Sequence, residues 1–323
     1  MSDAETRLRY LHEVIGLLYP PSATMTERTV LPHRLVPRRL VPRTRWHAVL
    51  GRGGRVPVPD GPDTIETYLG EVFGHPIRAV LRVRPARRAN RKPILSAHAA
   101  TDRTTREPLG FVKIGDSERA RALIRHESAT LRMLADRPLK TIAVPIVLHH
   151  GVWHGMDVLV LSPLPVTSAT APPALIDAAV AEIASLGDDA PPGGAPLPPD
   201  GHPGGHAWHG DFAPWNVSPA TDGRLLVWDW ERFGTGVPLG FDALHHFLHR
   251  ALRRMGPVSA TRACLARAVP LLAPFGLSAA EARRTAAHYL ITLADRHDRD
   301  GHEPLGPAST WLNPLVDYLE PLL

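Results

Sequence analysis

Residues 209–216 read His-Gly-Asp-Phe-Ala-Pro-Trp-Asn, and residues 225–231 read Leu-Leu-Val-Trp-Asp-Trp-Glu. Each segment places an Asp in a short irregular turn after apolar residues, and the turn-containing segment between them, residues 218–224, has the spacing of a β-hairpin. A hairpin here would bring Asp211, Asn216 and Asp229 to one edge. Two carboxylates and an amide oxygen are the hard donors that Mg²⁺ prefers, so the sequence predicts a magnesium and phosphate site at this edge.

The same motif carries a family resemblance. The string HGDFAPWN followed by DWE resembles the catalytic loop and metal-binding motif of the aminoglycoside phosphotransferase and choline kinase-like family, most densely over residues 209–242. This resemblance implies an α/β (α+β) protein with the bilobal protein kinase-like fold. Its N-lobe would be a small antiparallel sheet, and its C-lobe would be larger and helical.

The resemblance also implies a role for each matching residue. Asp211 resembles the catalytic base that accepts the proton of the acceptor hydroxyl. Asn216 and Asp229 would hold Mg²⁺ on the phosphates of ATP, so the implied cofactors are ATP and Mg²⁺. Lys113 lies in a strand and Glu127 on the following helix, which is the family's order for the phosphate-binding lysine and its glutamate partner.

Other positions complete this comparison. Residues 162–165 would form the hinge, in which backbone groups of Ser162 and Leu164 receive the adenine. His209 is expected to shape the catalytic loop, and Asp242 resembles the family's structural aspartate. The turn at residues 84–92 departs from the family because it contains no glycine, so side-chain charge is expected to replace backbone contacts to phosphate.

The N-terminal part of the sequence combines a predicted helix with a stretch rich in arginine and proline. Apolar spacing predicts a helix over residues 4–18. Residues 28–59 contain eight arginines and no acidic residue, and residues 34–43 are a tandem repeat of Arg-Leu-Val-Pro-Arg. Proline at every fifth position predicts an extended basic arm, either a solvated strap or a docking strip for an acidic peptide.

These patterns divide the chain into three segments. Residues 1–74 hold the helix and the basic arm, residues 75–163 the nucleotide-binding lobe, and residues 164–323 the catalytic lobe. Strands are predicted at residues 77–83, 93–100, 109–114, 142–148 and 157–161, with a helix after residue 117. The C-terminal half is predicted to be helical after residue 240, with no strand beyond residue 228, and residues 190–205 form a Pro/Gly-rich loop.

Composition limits the partners. The 323 residues include 37 Lys and Arg and 32 Asp and Glu, and this excess of basic residues favours anionic partners. The basic residues are not interleaved with the aromatic side chains on which a nucleic-acid binder stacks bases. No apolar run is long enough to span a membrane, the N-terminus is unlike a secretory signal, and the single cysteine, Cys264, fits a reducing compartment, so a cytoplasmic location is expected.

A histidine group on the helix after residue 240 has two interpretations. His245 and His249 share a helix face at a spacing that metal sites use, and His246 lies between them. The sequence shows no carboxylate or thiol as a third ligand, so helix packing is the favoured interpretation.

We therefore expect a phosphotransferase that moves the γ-phosphoryl group of ATP to a hydroxyl of a small molecule or peptide. Because the C-terminal half is rich in Arg and His, a neutral, anionic or peptidic acceptor is favoured over a polycationic one. The alternatives are a non-catalytic nucleotide-binding scaffold, or pseudokinase, and a kinase that modifies Ser or Thr of a precursor peptide. Nucleic acid and membrane are not expected as partners.

Overall fold

The computed structural model describes residues 3–31, 54–82, 92–100, 107–167, 169–187, 205–300 and 305–312. The chain forms two compact units. The first combines Met1–Ser128 with Pro145–Ser168, and the second combines Ala129–Val144 with Ala169–Leu323. The tandem repeat, the Pro/Gly-rich loop except for Gly205, and the turn at residues 84–92 except for Lys92 lie outside the described residues.

The first unit is built on a seven-stranded sheet with strand order β2-β1-β3-β4-β5-β8-β7. All neighbouring strands are antiparallel except β1 and β3, and β3, β4 and β5 form the predicted meander. The elements up to β8 are α1 (Asp3–Leu18), β1 (Thr24–Leu31), β2 (Gly54–Asp60), α2 (Ile65–Phe73), β3 (Ile77–Arg82), β4 (Ile94–Ala99), β5 (Gly110–Gly115), α3 (Glu118–Ala135), β6 (Ile142–Ala143), β7 (Val147–Trp153) and β8 (Met156–Leu161).

The described ends of the basic arm are strands. Residues 24–31 pair with residues 54–60 as β1 and β2, so they share the sheet with the strands after position 75. Val56 and Val58 are buried while their neighbours Arg55 and Pro57 are exposed, which is the alternation of a half-buried strand. Residues 28–31 and 54–59 thus form strands of the first unit's sheet and contribute buried side chains to its hydrophobic core.

A buried ion pair ties β1 to α2. Glu66 accepts hydrogen bonds of 2.6 Å from both Nε and Nη2 of Arg28, and its Oε1 also accepts the Ala79 N–H at 2.8 Å. The side chains of Arg28 and Glu66 are 7% and 10% exposed. Two hydrogen bonds join Arg28 to Glu66, and Glu66 also accepts one from the backbone, so both buried charges have hydrogen-bond partners.

Removing Glu66 should therefore destabilise the first unit. We expect Glu66→Ala to lower the free energy of unfolding by about 3–5 kcal/mol, because the Arg28 charge stays buried without its partner. Glu71→Ala, an exposed glutamate on the same helix, should change it by less than about 0.5 kcal/mol. Urea unfolding followed by circular dichroism measures both variants. Equal stability of the two variants would contradict this account of the pair.

The second unit is mainly helical, with two small sheets ordered β10-β11-β6 and β12-β9. Together with the antiparallel sheet of the first unit, it confirms the predicted α+β class. Its remaining elements are α4 (Pro173–Ala184), β9 (His206–Trp208), β10 (Val217–Pro219), β11 (Leu225–Val227), β12 (Gly234–Val237), α5 (Phe241–Ala251), α6 (Pro257–Ala266), α7 (Ala268–Leu272), α8 (Ala279–Asp300) and α9 (Ala308–Trp311). No helix in the described part of the chain has the length and apolar character needed to cross a membrane.

Some predicted boundaries are wrong for identifiable reasons. The strand expected at residues 142–148 is two strands, β6 and β7, because Pro145 cannot donate to a strand ladder. Strand β12 was not predicted, since two of its four residues are glycines, which weaken the strand pattern. Within the region predicted to be helical after residue 240, α6 ends at Ala266 and α7 begins at Ala268, with Arg267 between them.

Candidate active site

A buried carboxylate fixes the start of the loop at residues 209–216. Asp242, the second residue of α5, accepts the His209 N–H at 2.6 Å and the Gly210 N–H at 3.3 Å. Burial raises the pKa of Asp242 from its ordinary value of 3.8 to about 7, although the two backbone hydrogen bonds oppose the shift. The structural role expected of Asp242 agrees with these contacts.

Gly210 adopts a conformation that other residues rarely allow. Its φ is +78°, and a Cβ atom at this position would lie 2.1 Å from the carbonyl oxygen of Arg232. Its own carbonyl oxygen accepts a hydrogen bond from Nη1 of Arg296, whose guanidinium lies 5.3 Å from the ring centre of Trp208. Gly210 is therefore held through both its N–H and its C=O.

His209 organises the loop from the inside. Its Nδ1 accepts the backbone N–H of Asp211 at 3.1 Å, and its ring packs edge-on against Trp230 at a centroid distance of 4.6 Å. The side chain is fully buried. This geometry agrees with the expected role of shaping the loop.

Asp211 and Asn216 meet across the loop. The Nδ2 group of Asn216 donates to the backbone oxygen of Asp211 at 2.9 Å and to its Oδ2 at 3.0 Å. These two bonds fix which way the amide points. The Oδ1 of Asn216 accepts no hydrogen bond from any described residue, so it keeps its capacity to bind a cation.

The predicted hairpin brings Asp229 to the same loop. Strands β10 and β11 pair antiparallel, and beyond them the Trp228 N–H donates to the Asn216 carbonyl at 3.1 Å. Asp229 therefore follows directly after the residue that is bonded to Asn216. Its φ of +75° is unusual for a residue with a side chain and fixes the course of the chain at this turn.

Two residues linked to Asp211 by hydrogen bonds, one directly and one through the other, were not assigned to the site from the sequence. His245, on α5, places Nε2 at 3.2 Å from Asp211 Oδ1, and Tyr289, on α8, places its hydroxyl at 3.0 Å from His245 Nδ1. Burial lowers the pKa of His245 well below its ordinary value, so the ring is neutral. The ring then donates to Asp211 from Nε2 and accepts from Tyr289 at Nδ1.

In the first unit, Lys113 and Glu127 form a buried pair. Lys113 Nζ lies 2.7 Å from both carboxylate oxygens of Glu127, and the residues are 8% and 0% exposed. Lys113 stands on β5 in the middle of the sheet, where its Cα is paired with those of Ile94 and Leu159. The lysine and glutamate singled out from the sequence are thus in direct contact.

The segment after β8 also belongs to the first unit. The Ser162 N–H donates to the Ile146 carbonyl at 2.9 Å, and Ser162 Oγ accepts the Ile146 N–H at 2.8 Å. The Ser162 N–H is therefore already engaged. Across the described residues, nothing accepts the N–H of Leu164, which stays available to a ligand.

Comparison with family models finds no match, and comparison with curated proteins finds none either. Among solved structures, the chain is similar to a fructosamine-3-kinase of Haemophilus somnus, with 14% identity over 73% of this chain and 90% of that one and a TM-score of 0.43.

Two further solved structures are also similar to the chain. The GDP complex of an aminoglycoside 2′-phosphotransferase is 12% identical over 72% of this chain and 87% of its own, with a TM-score of 0.43. A choline kinase of Streptococcus pneumoniae is 12% identical over 62% of this chain and 77% of its own, with a TM-score of 0.36.

The raised pKa of Asp242 gives a pH dependence of stability. Between about pH 4 and pH 7 the folded protein retains a proton on Asp242 that the unfolded chain has released, so this group makes stability fall as pH rises. We expect Asp242→Asn, which cannot titrate, to remove that part of the decline.

Urea unfolding at several pH values between 4 and 7 measures the effect, with the exposed Asp298→Asn as the control. Parallel stability profiles of the wild type and Asp242→Asn across this interval would contradict the assignment.

Proposed function

We propose that the chain is an ATP- and Mg²⁺-dependent phosphotransferase that moves the γ-phosphoryl group to a hydroxyl of a small molecule or peptide. The observation that carries this proposal is the contact between Asp211 and Asn216 on a loop fixed by Asp242. This contact places the Asp211 carboxylate, which can accept a proton, next to the Asn216 side chain, whose amide oxygen can bind a cation.

The residues present fit a magnesium ion. Asn216 offers Oδ1, and Asp229 offers a carboxylate on a turn bonded to Asn216 through Trp228. Both are oxygen donors, and Mg²⁺ is usually bound by one or two such groups together with water and substrate phosphates. When bound, the ion would neutralise negative charge on the nucleotide phosphates.

Asp211 would act as the base. Its side chain is 23% exposed, whereas His245 is fully buried and Asn216 is 1% exposed, so an acceptor can reach the carboxylate from solvent. The two neighbours each hold one carboxylate oxygen and thereby restrict its rotation. A carboxylate held in this way can accept the hydroxyl proton as the oxygen attacks phosphorus.

Groups of the first unit would bind the nucleotide. Lys113 is held by Glu127 in one position and would contact the α- and β-phosphates. The Leu164 N–H and the carbonyl oxygen of Ser162 would bind the adenine edge, whereas the Ser162 N–H is engaged by Ile146. The basic balance of the chain, +5, favours a neutral, anionic or peptidic acceptor over a polycation.

Substitution of the proposed base tests the function. We expect Asp211→Asn to lower kcat by about 100- to 10,000-fold, because general base catalysis contributes a factor of that size. The KM for ATP should stay near the wild-type value, since Asp211 does not hold the nucleotide. Mg²⁺-dependent release of ADP, with water and a panel of hydroxyl compounds as acceptors, measures both constants.

Asp222→Asn is the control, because Asp222 is an exposed carboxylate in the turn between β10 and β11, where it contacts Arg224 of the same turn. Wild-type turnover in Asp211→Asn would exclude Asp211 as the base. A wild-type protein that binds ATP but neither hydrolyses it nor transfers phosphate would support the nucleotide-binding scaffold instead.

A further inference from the structure

Three side chains with metal-binding atoms converge beside the loop of the second unit. Asp211, His245 and His249 each offer one ligand atom, and these atoms lie within 4.8 Å of one another. His245 and His249 are four residues apart on α5 and share a face, with ring centres 4.2 Å apart. The third ligand, which the sequence alone did not reveal, is supplied by a residue 34 positions from His245.

The chemistry of this set differs from that of the magnesium donors. Two imidazole nitrogens and one carboxylate oxygen suit Zn²⁺ and neighbouring transition-metal ions, with a further position open to water. Mg²⁺ instead prefers oxygen ligands and retains several of its waters. A metal in this site would therefore be a second kind of ion, distinct from the one proposed for Asn216 and Asp229.

His245 has a hydrogen-bond partner on the ring nitrogen that would not bind the metal. Tyr289 contacts His245 Nδ1, which leaves Nε2 facing Asp211. Outer-shell partners of this kind fix the ring of a metal-binding histidine. On metal binding the proton of His245 would move from Nε2 to Nδ1, and the Nδ1–H group would then donate a hydrogen bond to the Tyr289 oxygen, so the imidazole stays neutral.

Asp211 is the most exposed of the three residues. His245 is fully buried and His249 is 3% exposed, whereas the side chain of Asp211 is 23% exposed. An ion would enter past Asp211 and meet the two imidazoles behind it.

We propose that Asp211, His245 and His249 form a binding site for Zn²⁺ or a similar transition-metal ion. Metal binding follows from these three residues alone. Its consequence for catalysis rests on the proposed function: an ion on the Asp211 carboxylate occupies the oxygen that would accept the hydroxyl proton, so it inhibits phosphoryl transfer.

Titration of the metal-free, full-length protein with Co²⁺ tests the site. We expect the visible absorption of Co²⁺ in a low-coordinate nitrogen and oxygen site, and its loss when Zn²⁺ displaces Co²⁺. His249→Ala should weaken Co²⁺ binding by at least about 100-fold, since loss of an outer-shell partner alone costs about 10- to 100-fold.

Two further variants complete the design. His249→Phe keeps an aromatic ring near Trp215, which packs edge-on against His249 at 5.2 Å, but offers no ligand atom. It should lose the absorption as His249→Ala does, and circular dichroism reports whether each variant is folded. His75→Ala, which removes an exposed histidine of the first unit, should bind Co²⁺ as the wild type does.

The outcomes separate this proposal from the proposed function. Unchanged Co²⁺ binding in a folded His249 variant, or no such absorption in the wild type, overturns the metal site. Absorption that depends on His249 supports the site even where no phosphoryl transfer is found. Where transfer is found, Zn²⁺ should inhibit the wild type and inhibit His249→Phe at least about 100-fold less effectively.

Discussion

The hydrogen bonds from the His209 and Gly210 N–H groups to the buried carboxylate of Asp242 are the constraint on which the candidate site depends. A loop with neither helix nor strand geometry leaves its polar backbone groups without internal partners, and burying them unpaired costs free energy. Asp242 satisfies two of these groups, and Arg296 satisfies the Gly210 carbonyl. These hydrogen bonds fix the direction of the chain as it enters Asp211.

Much of the fold could be predicted because its signals are local. The meander from β3 to β5 follows from strand propensity, and the hairpin of β10 and β11 follows from two apolar runs joined by a short turn. Asp211, Asn216 and Asp229 lie within or next to that hairpin, so its spacing was enough to predict that the turn before Asp229 is bonded to the loop that holds Asn216. The strands at the ends of the basic arm were missed because arginine and proline obscured the alternation of Val56 and Val58.

The neighbours of Asp211 could not be predicted, since they come from helices distant in sequence. His245 contacts Asp211, and Tyr289 contacts His245, only through the packing of α5 and α8, and nothing in their own segments indicates these contacts. The histidine spacing on α5 was visible in the sequence, but its third ligand lay on the loop. A carboxylate held by Asn216 on one oxygen and by His245 on the other can serve either a proton or a transition metal, and the ion present would decide which.

We propose that Asn216 and Asp229 hold a divalent cation on the phosphates of ATP. Calorimetric titration of ATP with and without Mg²⁺ tests it most directly, using the wild type and Asp229→Asn, because asparagine tolerates the left-handed backbone of that position. The account predicts that Mg²⁺ strengthens ATP binding to the wild type, and that this gain is lost in Asp229→Asn while binding without Mg²⁺ is retained. ATP binding that is the same with and without Mg²⁺ in the wild type, or an undiminished gain in the variant, would contradict it.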